Sequence, residues 1–77
     1  MTFDIEFVTY VHEEDRSTRY RVEVLDTLLG MEAQAIPSPG DTVLIEGTTY
    51  RVDHAAWNYQ EEHVRVVLRQ VAFGGGR

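Results

Sequence analysis

One phrase limits what this chain can become more than any other: Pro37-Ser-Pro-Gly-Asp-Thr-Val-Leu-Ile-Glu-Gly-Thr-Thr-Tyr-Arg-Val-Asp53. Two prolines stiffen the approach, Val43 and Ile45 alternate with other residues, and Tyr50 and Val52 resume the alternation after Gly47. Runs of period two joined this closely pair antiparallel. Gly47-Thr48 is the expected turn, because glycine adopts positive φ without a Cβ clash. A chain built on such a unit is committed to β-structure.

Period two continues on both sides of the hairpin. Phe3, Ile5, Phe7, Thr9 and Val11 share one face, and Asp4, Glu6, Val8 and Tyr10 the other. After the polar run His12–Ser17, Tyr20, Val22 and Val24 alternate with Arg19, Arg21 and Glu23. Matching the apolar faces sets Phe7 against Val22, since a one-residue slip would turn every side chain over. Leu28–Gly30 is expected as a bend and Met31–Ile36 as an extended segment. A short helix within 27–36 is the alternative, opposed by Gly30 and by Pro37, which disfavours helical geometry at Ile36. His54–Tyr59 leads through a turn at Gln60–Glu62 into His63–Phe73, with Val64, Val66 and Leu68 on its core face.

Turns every 8–12 residues between short strands indicate a sandwich or barrel. At 77 residues a barrel is favoured, because closure removes exposed edges. The expectation is an all-β domain over 1–73: a small SH3-like barrel of five or six antiparallel strands. An OB-like barrel, or an α+β fold using the helical alternative, stands second. The tail 74–77 has no apolar content and is expected to be disordered.

Composition removes whole classes of function. There is no cysteine, hence no disulfide framework and no thiolate metal site. Thirteen acids against seven arginines and no lysine give a formal charge of −6, which repels a phosphate backbone and suits a basic partner or plain solubility. No apolar run approaches the length that spans a bilayer. The acidic, alternating start Met1–Glu6 is unlike a signal peptide. A cytoplasmic or virion-associated protein is expected.

The stretch Pro39–Trp57 resembles small SH3-like β-barrel proteins of bacteria and phages, in which Pro-x-Gly-Asp-x-Val opens a strand and Gly-x-x-Tyr-x-Val makes the next hairpin. The match covers about a quarter of the chain, and its residues are structural punctuation. The resemblance implies the barrel, and some relatives of that shape serve as phage head–tail joining or adaptor proteins.

No reactive constellation is apparent. His12 and His63 adjoin acids in expected turns, and His54 falls on a core-facing strand position; no HxH or HExxH spacing converges them on a metal. Ser17 and Ser38 lack a nucleophile elbow, and Gly74–Gly76 precedes no helix that could hold phosphate. A domain this small leaves little volume for a ligand pocket. The expectation is a non-enzyme without cofactor, metal or small-molecule substrate.

Surface contact remains. Matching the core faces of the last hairpin sets Trp57 beside Arg65, Ala55 beside Val67 and Asp53 beside Arg69. Trp57, Tyr59, Arg65, Val67, Arg69, Val71 and Phe73 would then form an outward aromatic–Arg strip for a protein partner or a second copy, unless residues 26–36 fold over it. The alternative is an inhibitor that imitates nucleic acid through acidic loops at Glu13, Glu14, Asp15, Glu61 and Glu62. A third possibility, single-stranded nucleic acid stacking on Trp57 and Tyr59 beside Arg65 and Arg69, is opposed by the net charge. Val8, Tyr10, Arg19 and Arg21 are expected as a solvated strand face.

Overall fold

The computed structural model describes residues 1–12 and 20–71. They form strands β1 (Thr2–His12), β2 (Tyr20–Glu32), β3 (Thr42–Ile45), β4 (Thr48–Asn58) and β5 (His63–Gln70), with one 3-10 turn at Ala33–Ala35. All five strands join one sheet in the order β2-β1-β5-β4-β3, curled into a half-barrel consistent with a small SH3- or OB-like barrel. No α-helix occurs among the described residues. The all-β class and the number of strands are therefore as the alternation implies.

Three ladders are antiparallel, but β1 and β5 run parallel, with Ile5 opposite Val64, Phe7 opposite Val66 and Val8 opposite Val67. A parallel pair needs a long crossover, and here β2, β3 and β4 supply it. The physical reason lies in Phe7-Val8 and Val66-Val67-Leu68, which are apolar on both faces and are all buried. Strands buried on both sides are typical of parallel pairing. Phe3, Ile5, Phe7, Val52, Val64, Val66 and Leu68 form the core cluster, with Ile36 added by the segment that carries the chain from β2 to β3.

Bulges depart furthest from simple alternation. β2 slips against β1 between Phe3/Ile5 and between Phe7/Val8, so Phe7 lies opposite Asp26 and Tyr10 opposite Val22. Val22 and Val24 consequently stand exposed on the face away from the core, while Leu25 packs against the core cluster. The expected register with Phe7 against Val22 is corrected accordingly. Leu28–Gly30 is an irregularity inside β2 and not a bend between segments; the expected extended run Met31–Ile36 is interrupted by the 3-10 turn at Ala33–Ala35, and no α-helix forms within 27–36. Gly30, at φ 67°, turns its N–H to Asp4 Oδ1 at 3.0 Å, which pins that bulge to β1.

The proline-led hairpin is built as its residues demand. Asp41 Oδ2 accepts the Ser38 N–H at 2.8 Å, and Gly40, at φ 92°, donates its N–H to the Val52 carbonyl at 2.9 Å. The turn falls one residue earlier than expected, at Glu46-Gly47 between the paired Ile45 and Thr48. Both turn residues have positive φ, 49° and 84°, the signature of a type I′ turn. Glutamate there carries a left-handed strain of about 1 kcal/mol that asparagine relieves. Glu46→Asn is predicted to raise the thermal midpoint by about 4–8 °C. An unchanged or lower midpoint in a calorimetric scan would show that Glu46 is not strained.

Candidate functional site

Trp57 sits opposite Val64, and Ala56, not Trp57, lies opposite Arg65. The cause is a bulge in β4. Val52 faces Leu68 while His54 faces Val67, so Asp53 is the extra residue and reverses the alternation beyond it. Ala55 and Trp57 therefore fall on the core side, and His54 is turned off it.

At the start of β1 three aromatic rings meet. Phe3 is buried and presents itself edge-on to Trp57, with centroids 5.1 Å apart and planes at 84°. Tyr59 meets Phe3 at 5.8 Å and 77°, and stacks on Trp57 at 5.9 Å and 19°. Residues two apart along a strand share a side, so β4 running into its loop carries both outer rings onto Phe3. Edge and offset geometries of this kind add about 0.5–1.5 kcal/mol per pair beyond burial. Two hydrogen bonds fix the loop beneath Tyr59: Glu61 N–H donates to Asn58 Oδ1 at 3.1 Å, and Asp4 N–H to the Glu62 carbonyl at 2.9 Å. Trp57 nevertheless remains 38% exposed and Tyr59 65% exposed.

The other expected strip residues lie elsewhere. Arg65 is on the opposite face, where its Nε donates to Glu6 Oε1 at 3.0 Å; His63 Nε2 is 3.9 Å from the same oxygen. Val67 is buried and offers no contact surface. Arg69 is exposed and reaches Asp53 at 3.7 Å, the one expected pairing that forms. Val71 follows β5, tied by its N–H to the Thr49 carbonyl at 3.1 Å, and Phe73 lies outside the described residues. The single aromatic–Arg strip is therefore not assembled. The stacking platform combining both rings with Arg65 and Arg69 fails for the same reason. Of the acidic residues, Glu61 and Glu62 lie in the β4–β5 loop beside Tyr59, whereas Glu13, Glu14, Asp15 and the tail 74–77 fall outside the described residues.

No group of three or more His, Asp or Glu able to hold a metal occurs among the described residues. A cleft of about 600 Å³ opens at the other end of the sheet, lined by residues including Thr9, Val11, Glu23, Leu25, Tyr50 and Gln70. This is more space than a filled barrel of this size was expected to leave, because the half-barrel keeps one end open. The chain matches no protein-family model, no curated protein and no solved structure.

One site residue has a shifted acidity. The hydrogen bond with His54, whose Nδ1 lies 2.8 Å from Asp53 Oδ2, holds the Asp53 carboxyl below the ordinary carboxylate value. Slight desolvation opposes this, and the Arg69 and His54 charges add to it. A carboxyl depressed on folding stabilises the fold above its unfolded pKa, and that contribution disappears as pH falls through the lowered folded value. Because Asp53 is exposed, the effect is small. The thermal midpoint of Asp53→Asn should lie slightly below that of the parent at neutral pH and converge with it in acid. A difference that persists or grows in acid would contradict the shift.

Proposed function

We propose that this chain is a non-enzymatic protein-interaction module that docks a basic segment of a protein partner on the Trp57–Tyr59 pair. The observation that carries this reading is the pair itself: two stacked rings, braced from below by buried Phe3, yet left open to solvent. Large apolar faces are ordinarily covered unless something uses them. Tryptophan and tyrosine are the residue types that most often dominate binding energy at protein interfaces.

The surrounding charge supports a cationic occupant. Glu61 and Glu62 come directly after Gln60 in the loop that Tyr59 enters. An Arg or Lys side chain gains from an aromatic face and from neighbouring carboxylates together. The formal charge of −6 adds long-range attraction for a basic partner and opposes a nucleic acid. A phage or prophage adaptor role rests on the resemblance of the Pro39–Trp57 hairpin, and it accords with a protein whose chemistry is docking alone.

A partner captured from the source cell should bind Tyr59→Ala and Trp57→Ala at least about tenfold more weakly, the usual loss when an interface aromatic is truncated. Tyr59, the more exposed ring, should be replaceable with a change of only a few degrees in thermal midpoint. Full binding by a folded Tyr59→Ala and a folded Trp57→Ala would remove the proposal.

A further inference from the structure

β2 is an outer strand of the sheet, and among the described residues it pairs on one side only, with β1. Outer strands invite pairing with another chain, and proteins blunt them by keeping them short, charged, bulged or covered. β3, at the other edge, is four residues long, whereas β2 has thirteen. Its bulges lie at Leu25 and near Gly30, so Tyr20–Val24 is a regular five-residue run whose centre is Val22.

That run is complementary to itself. Laid antiparallel about Val22, it sets Arg21 against Glu23 of the second copy and Glu23 against Arg21, while Tyr20 meets Val24 and Val22 meets Val22. Opposite charges directly across a ladder are favourable, and so are aromatic–β-branched pairs. The apolar side chains of the run are already on the surface: Tyr20 is 62% exposed, Val22 40% and Val24 51%. They continue an apolar patch, because Val22 lies opposite Tyr10, Val24 opposite buried Val8, and the Tyr20 ring meets His12 at 4.9 Å. Across a two-fold axis at Val22 the row Tyr10–Val22 would meet its own image, closing the patch over both molecules.

We infer that β2 is a self-recognition edge, through which two copies join antiparallel about Val22 into one continuous ten-stranded sheet. The arrangement is isologous and closes at two, so it yields a dimer and not a fibre. It leaves the Trp57–Tyr59 pair uninvolved, since Trp57 lies on β4, two strands beyond β1. The inference therefore stands or falls separately from the proposed docking function.

Sedimentation equilibrium from about 1 μM to about 1 mM, the range in which a small interface associates, tests it. The parent should show a monomer–dimer equilibrium. Arg21→Glu places four like charges across the axis and should weaken dimerisation at least about tenfold. Glu23→Arg should do the same. The double exchange Arg21→Glu with Glu23→Arg restores complementarity and should recover the dimer to within about threefold of the parent. Circular dichroism on each variant confirms that the monomer is folded, and Val22→Lys provides a further break at the axis if either charge variant is unstable. A parent that is monomeric throughout, assembly indifferent to the single reversals, or a double exchange that fails to recover would each overturn the pairing.

Discussion

The parallel ladder between β1 and β5 is the constraint on which this structure depends. It joins two units that are each antiparallel and local, the β1–β2 hairpin and the β3–β4–β5 meander, at strands taken from opposite ends of the chain. Phe3, Ile5 and Phe7 on one strand and Val64, Val66 and Leu68 on the other supply six of the eight residues in the core cluster. On the reverse face, buried Val8 and Val67 lie opposite one another. Such burial is worth about 2 kcal/mol per side chain, a large share of the stability of a domain this size. Thr9, whose Oγ1 donates to the Leu68 carbonyl at 2.9 Å, continues the link towards the open end.

The flanking strands are fitted to this ladder by irregularity. β1 and β5 pair without a slip, and β2 and β4 absorb the mismatch in bulges. Each bulge reverses the alternation of the strand on its far side. Asp53 in β4 sends Trp57 to the core side, onto Phe3; Leu25 in β2 leaves Val22 and Val24 outside and takes a core position itself. Both surfaces with functional interest in this molecule, the stacked aromatic pair and the apolar edge, thus arise from single inserted residues. Glu61 and Glu62 follow the pair in the β4–β5 loop, which is the basis on which a cationic partner is proposed for it.

Much of the fold was legible in the residues. The Pro39-Gly-Asp punctuation, the hairpin from Val43 to Val52 and the apolar face of β5 appear as their spacing implies. The reach of Asp53 to Arg69 was legible too. The register was not. The bulge at Leu25 leaves no compositional mark, and Asp53, a residue disfavoured in regular strands, does not by itself fix where the extra position falls, because that is set by the neighbouring ladder. Alternation counted straight through Asp53 puts Trp57 outside with Arg65, and that error carried the whole expected strip with it. A stronger signal was available in Phe7-Val8 and Val66-Val67-Leu68. Apolar residues on both faces of two distant segments mark strands that are central, and such strands can be each other's neighbours. Glu46-Gly47 shows the complementary case, where turn geometry favoured a two-residue loop even though its first residue is a poor one.

The central claim is that the Asp53 bulge turns Trp57, the chain's sole tryptophan, onto Phe3 and away from Arg65. Nuclear Overhauser contacts of the Trp57 indole protons test it most directly. The account predicts contacts to the Phe3 and Tyr59 rings, on the side of the sheet that carries the Val64 methyls, and none to the Arg65 side chain. Contacts from the indole to the Arg65 methylenes, with none to Phe3, would mean that β4 runs unbulged and that Phe3, Trp57 and Tyr59 do not form one aromatic site.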